Sequence, residues 1–184
     1  MIQTTVGDIT ILDKTFTRLL TSCEIGSAIQ EMAGKMNKDL NDEEVVFLVV
    51  LNGAFMFAAD LLREIIFQPQ VSFIRLASYE GISSTGEVRT LIGLQEDLEK
   101  KVVVVIEDII DSGLTIENIH DQLKPHRPQM VSSATLLFKP ESYRLNIEPD
   151  YVGFRIPSRF VIGYGLDYNG FGRNLADIYI ESEK

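Results

Sequence analysis

"VVVVIEDIIDSGLTI", Val102 to Ile116, runs from five consecutive β-branched apolar residues into two acids, two more apolar residues, a third acid and a small hydroxyl-bearing turn. An oily run of that length, followed by helical spacing, reads as a strand covered on both faces. With the strand ending at Ile106, Glu107 and Asp108 lie at its carboxyl end, where open parallel sheets bind ligands. Ser112, Gly113 and Thr115 then form the turn into a helix. The first amides of that helix lack internal partners, and its dipole adds positive potential. Such a turn suits a phosphate held by backbone donors, with no cationic side chain required. The three carboxylates are left to face sugar hydroxyls or a metal ion, so a phosphorylated sugar satisfies both halves of the stretch. A plainer reading makes Asp108 and Asp111 helix caps and Gly113 a relaxed turn. It gives no reason for Glu107 at the end of a buried strand.

Outward from this stretch, short apolar runs alternate with longer helical patterns. VVFLVVL (Val45 to Leu51), VSFIRL (Val71 to Leu76), VSSATLLF (Val131 to Phe138) and YVGF (Tyr151 to Phe154) read as further strands. Ala54 to Ile66 and Gly113 to Lys124 carry apolar residues at helical spacing. The alternation predicts an α/β fold, a central parallel sheet flanked by helices. Thr15 to Asn37 reads as an N-terminal helix or helix pair, and the Gly-rich tail Phe160 to Asn174 stands outside the pattern. SYEGISSTGEVRT, Ser78 to Thr90, reads as a long exposed loop or ribbon, and on the residues alone a solvated loop and a mobile lid are both open. No repeat, low-complexity linker or boundary interrupts residues 1–184, so one domain is expected.

A chain of 184 residues with 45% hydrophobic content can bury its own core. Its formal net charge of −10 opposes nucleic-acid binding, which needs clustered cations to displace counterions. A single cysteine, Cys23, builds no internal disulfide, and two histidines, His120 and His126, make no Cys/His metal cluster. A reduced, cytoplasmic setting is expected. The N-terminal residues have no sustained apolar stretch, so neither a signal peptide nor a membrane span is expected.

The Val102 to Ile116 stretch resembles the phosphoribosyl-pyrophosphate-binding signature of type I phosphoribosyltransferases. The chain lacks the G-x-x-x-x-G-K-[ST] and G-x-G-x-x-G patterns of other phosphate loops. Within that family it most closely resembles the hypoxanthine(-guanine) phosphoribosyltransferases, through LNGAFMFAADL, SYEGISSTGEV, LLFKPE and RFVIGYGLDYNGFGRNL. The resemblance implies transfer of phosphoribosyl from phosphoribosyl pyrophosphate to a 6-oxopurine, in purine salvage. Hypoxanthine and guanine are the bases it implies, with no ranking among hypoxanthine, guanine and xanthine. It also implies a Mg²⁺ cofactor, a homodimer or homotetramer, and a small hood built mainly from the C-terminal segment.

Roles follow position by position from the resemblance. Asp111 matches the general base at the purine ring nitrogen. Asp111, Ser112, Gly113, Leu114 and Thr115 match the loop around the 5′-phosphate. Glu107 and Asp108 match acids at the ribose hydroxyls and the water shell of magnesium, and Asp167 a second magnesium-associated acid. Lys139 matches the donor to the purine 6-oxo group, Phe160 the aromatic that stacks on the base, and Val161 a backbone reader of the base edge. Arg173 matches an arginine at the pyrophosphate, while Ser78 and Tyr79 match the start of a closing loop. Asn52 and Gly53 fall in the pyrophosphate loop, where the family usually has Leu-Lys-Gly; Asn52 keeps the backbone donors and removes a cation. Two other classes remain open: a non-enzymatic regulator that binds RNA, which should show a basic face, and a transferase for orotate or adenine.

Overall fold

The computed structural model describes residues 3–5, 7–77, 89–92 and 96–182. In chain order these form strands β1 (Gln3–Thr5), β2 (Asp8–Ile11) and β3 (Lys14–Leu20), helix α1 (Ser22–Leu40), β4 (Val45–Leu51), α2 (Phe55–Glu64), β5 (Gln70–Ala77), β6 (Arg89–Ile92), β7 (Val102–Ile110) and α3 (Leu114–Leu123). A 3₁₀ turn, Lys124–His126, leads to β8 (Met130–Phe138), β9 (Tyr151–Arg155), β10 (Val161–Ile162) and β11 (Ile178–Glu181).

Strand β7, the first part of the Val102 to Ile116 stretch, lies inside a six-stranded sheet ordered β6-β5-β4-β7-β8-β9. Five of these strands run parallel, and β6 adds an antiparallel edge beside β5. Val102 to Ile106 are all at most 1% exposed because helices cover both faces. Val102, Val104 and Ile106 pack with α1 and α2, while Val103 and Val105 pack with Ile116, Ile119 and Leu123 of α3. The predicted α/β architecture is therefore the observed one.

Two sequence expectations change. Thr15 to Asn37 is neither one helix nor a helix pair: β3 occupies Lys14–Leu20, and α1 starts after Thr21. Thr21 caps it reciprocally, with its Oγ1 accepting from the Glu24 N–H and its own N–H donating to Glu24 Oε2 at 2.8 Å. Phe16, Leu19 and Leu20 are spaced i, i+3, i+4, which fits a helix as well as a strand; pairing with distant chain decides the matter. That pairing also corrects the hood. A second, antiparallel sheet ordered β1-β2-β3-β11-β10 draws three of its described strands from the N-terminus. β3 holds β11 through Ile180↔Thr17 and Glu181↔Phe16, so both ends of the chain build the hood around Ile9, Ile11, Phe16 and Ile162.

One irregularity positions the site. Strand β7 continues to Ile110 instead of ending at Ile106. Its alternation slips at Asp108, since Ile106 and Ile109, three apart, face the same cluster. Strand β8 slips beside it, with Leu136 and Leu137 both on that face, and β9 slips at Gly153, between Tyr151 and Phe154. Register is retained across the slip, from Glu107↔Thr135 to Ile109↔Leu137. A Cβ on Gly153 would stand 2.7 Å from the Leu136 carbonyl, so the three strands bend together only with glycine there.

Candidate active site

The carboxyl ends of β4, β7 and β8 meet the hood around a cleft of about 370 Å³. Gly53, Asp108, Ile109, Asp111 and Lys139 line it from the parallel sheet; Phe160, Val161, Leu166, Asp167 and Arg173 line it from the hood side. The hood seats by backbone contact. A Cβ on Gly165, whose φ is +100°, would lie 2.1 Å from the Gly53 carbonyl oxygen, and one on Gly53 would lie 1.7 Å from Asp108 Oδ2. Only two glycines let the hood loop, the 51–54 turn and the Asp108 carboxylate stack this closely. The Leu51–Asn52 peptide in that turn is cis.

Lys139 follows β8 directly, and its N–H donates to the Ile110 carbonyl at 2.9 Å, fixing the two chain ends side by side. Its ammonium donates to Asp111 Oδ2 at 2.9 Å. Lys139 is 7% exposed, whereas the Asp111 side chain is 49% exposed. A buried, obligate donor is thus aimed at the cleft with one carboxylate beside it. Across the cleft, Arg173 donates to the Gly165 carbonyl at 2.6 Å and pairs with Asp167 at 2.5 Å. The other Asp167 oxygen accepts from the Gly170 N–H at 2.6 Å. The arginine is therefore held in place and still borders the cleft.

Burial pushes the Asp108 carboxyl up to about 6, helped by Asp167, while the backbone N–H groups of Asp108 and Ile109 and the charge of Arg173 pull it down. Glu107, 6% exposed, is raised well above the carboxylate range, chiefly by burial and further by Asp108. A carboxyl raised on folding favours the native state at low pH, and that contribution is lost as pH rises through its folded value. For Asp108 the loss should run from about pH 4 to about pH 6 and amount to on the order of 3 kcal/mol at most. Denaturant unfolding of the ligand-free protein across that range should show the decline, and Asp108→Asn should flatten it. An identical slope in the variant would remove Asp108 as its source.

Of the residues assigned from the sequence, the structure brings Gly53, Asp108, Asp111, Lys139, Phe160, Val161, Asp167 and Arg173 around one cleft. Asn52 is exposed in its turn, Glu107 is buried, and neither lines the cleft. Ser112, Gly113, Leu114 and Thr115 continue the chain from Asp111 into α3. Gly113, with φ +86°, is the N-cap, so neither Asp108 nor Asp111 takes that position. Arg144 N–H donates to the Ser112 carbonyl at 3.1 Å, bracing the turn from the loop after Lys139. Ser78 and Tyr79 lie outside the described residues, and Arg89 and Thr90, the end of the proposed loop, belong to β6. Ile109 and Leu166 were missed as lining residues. Both sit inside stretches already singled out, and only the slip at Asp108 and the turn at Gly165 show that they face the cleft.

Among the described residues no three His, Cys, Asp or Glu side chains stand together as a metal cluster. Asp108 and Asp167 still put hard oxygens on the cleft wall, the donor set Mg²⁺ prefers when substrate phosphates and water complete its shell. No described helix is long and apolar enough to cross a membrane.

Residues 16–169 match the phosphoribosyl transferase domain family. The chain is 36% identical over 164 residues to the hypoxanthine-guanine phosphoribosyltransferase of Aquifex aeolicus (strain VF5), covering 88% of this chain and 92% of the relative. It is 39% identical over 158 residues to the enzyme of that name from Staphylococcus epidermidis, covering 85% and 88%. Among solved structures, a hypoxanthine-guanine phosphoribosyltransferase from Bacillus anthracis with HEPES in its active site superposes with a TM-score of 0.84 at 37% identity, covering 90% of this chain and 96% of that one.

Proposed function

The chain belongs to the phosphoribosyl transferase domain family, and from that premise we propose that it transfers phosphoribosyl from phosphoribosyl pyrophosphate to a 6-oxopurine, releasing pyrophosphate. The observation that carries the reading is the buried Lys139 ammonium beside Asp111, in one cleft with the half-open face of Phe160. An ammonium can meet a 6-oxo acceptor, a carboxylate 2.9 Å from it can take or share a ring-nitrogen proton, and an aromatic face can stack on the base. Hypoxanthine and guanine are the substrates we assign.

The remaining residues divide the sugar phosphate among themselves. The first-turn amides of α3, from Leu114 on, and the Ser112 to Thr115 turn take the 5′-phosphate. Asp108, next to the buried Glu107, takes the ribose hydroxyls. Arg173, fixed by Asp167 and Gly165, stabilises charge that grows on the departing pyrophosphate. Asp108 and Asp167 are the groups that would hold Mg²⁺, which when bound supplies further charge neutralisation to the diphosphate. Asn52 leaves the pyrophosphate loop without a cation, so Arg173 carries more of that task. The acidic balance, formally −10, argues against an RNA-binding regulator. A homodimer or homotetramer in the cytoplasm is the assembly and setting we carry over from the resemblance; a Trypanosoma cruzi relative was examined for the role of its C-terminal region in oligomeric state.

Purified protein given phosphoribosyl pyrophosphate, hypoxanthine and Mg²⁺ should form the nucleoside monophosphate and pyrophosphate, and excess chelator should abolish the reaction. Full activity in chelator would remove the metal. Tight nucleotide binding with no product from any purine would remove the transferase and favour a regulator.

A further inference from the structure

Phe160 is held from several sides by residues outside the cleft. Phe16 of β3 lies 6.3 Å from it between ring centroids, and Tyr168 lies 5.8 Å away, nearly perpendicular. Lys14, at the start of β3, places its ammonium 5.4 Å from the Phe160 centroid and 5.3 Å from that of Tyr168. Neither Lys14 nor Tyr168 lines the cleft, so they hold the ring without occupying the space a base would take. Each is itself tethered. Glu181 of β11 pairs with Lys14 at 2.8 Å, and the Tyr168 hydroxyl donates to Asp13 at 2.7 Å. The Glu181 N–H also donates to the Phe160 carbonyl at 2.9 Å, so one residue anchors both the stacking aromatic and the cation over it.

A cation over an aromatic face is attracted by the ring's negative quadrupole. Phe160 is 40% exposed, so without such a hold its ring would have to be ordered by the arriving base. Ordering a side chain on binding weakens affinity, and prior ordering removes that cost. We propose that Lys14, supported by Tyr168 and Glu181, is a positioning residue for the purine. On this view the N-terminal hairpin of β2 and β3 sets base affinity by fixing Phe160, without touching the reacting atoms. The inference rests on Phe160 being the stacking residue of the proposed function.

Steady-state kinetics with hypoxanthine, on variants whose folding is checked by thermal unfolding, test it. Lys14→Met should raise the base KM by roughly three- to tenfold and leave kcat and the KM for phosphoribosyl pyrophosphate unchanged, the pattern of lost uniform binding. Lys14→Arg should restore the base KM, since a guanidinium also sits over aromatic faces. Tyr168→Phe, which keeps the ring and loses the Asp13 bond, should move the base KM the same way by less. In a Phe160→Ala background, Lys14→Met should have no further effect. An unchanged base KM in Lys14→Met, with a raised one in Phe160→Ala, overturns the inference and leaves the stacking assignment standing. An unchanged base KM in both removes Phe160 itself. A loss of kcat that persists in the Phe160→Ala background marks ordinary destabilisation and also overturns the proposal.

Discussion

Asp111→Asn is expected to lower turnover by roughly 10²-fold or more in a protein that still folds. Asparagine keeps the size of the side chain, and its amide oxygen can still accept from the Lys139 ammonium that now donates to Asp111 at 2.9 Å. What it loses is the negative charge and, with it, a site that takes a proton. Steric accounts of the loss are therefore weak, and so is a helix-cap account, because Gly113 holds the cap position of α3. Single-turnover measurements with saturating phosphoribosyl pyrophosphate and hypoxanthine isolate the chemical step. Near-normal turnover in a folded variant would reduce Asp111 to a hydrogen-bond acceptor for Lys139. A raised base KM with normal kcat would point the same way, to orientation of the ammonium without proton transfer.

Much of this site was legible because chemistry and order coincide in the sequence. Val102 to Ile106 is apolar without a break, and a covered strand is the economical explanation. The acids after it, together with Lys139, Phe160, Asp167 and Arg173, matter through their order, and the cleft collects all but Glu107. The residues that were misplaced share a different cause. Period-2 alternation says which side of a strand a residue faces only while the pleat is regular. At Asp108 it is not, and the matching slips at Leu136 and Gly153 exist only once three strands are paired. The strand also runs on to Ile110, so Glu107 and Asp108 lie within it and not beyond its end. Burial of β7 on both sides then leaves Glu107 buried and Asp108 on the cleft wall.

The hood was opaque for a related reason. Phe16 is fully buried by contacts with Phe160, Tyr168 and Ile162, none of which is near it in sequence. Local spacing around Phe16 fits a helix and a strand alike, and pairing of β3 with β2 and β11 makes it a strand. The Thr21 and Glu24 capping box was the available local signal, since a helix start at Ser22 forbids one at Thr15.

Hypoxanthine should be turned over at least about 10³-fold more efficiently than adenine, and Lys139→Gln should collapse most of that difference. An ammonium only donates, so it suits a 6-oxo acceptor and opposes a 6-amino donor. The mismatch costs twice over. Two donors would face each other, and a charge only 7% exposed would lose its ligand partner while keeping the strain of burial. Asp111 softens the second cost, because its carboxylate stays on the ammonium whichever base enters; the first cost remains whole. Stacking on Phe160 does not discriminate, since every purine offers a π-face. Glutamine at 139 can turn its amide to accept from an amine or donate to a carbonyl, so it should accept both bases poorly and nearly alike. The decisive measurement is the ratio of kcat/KM for hypoxanthine and adenine in the native protein and in Lys139→Gln. A native protein that uses adenine as well as hypoxanthine would overturn the 6-oxopurine assignment. A variant that keeps the full ratio would move selectivity away from Lys139 to the backbone around Val161, the other part of the cleft wall assigned to the base edge.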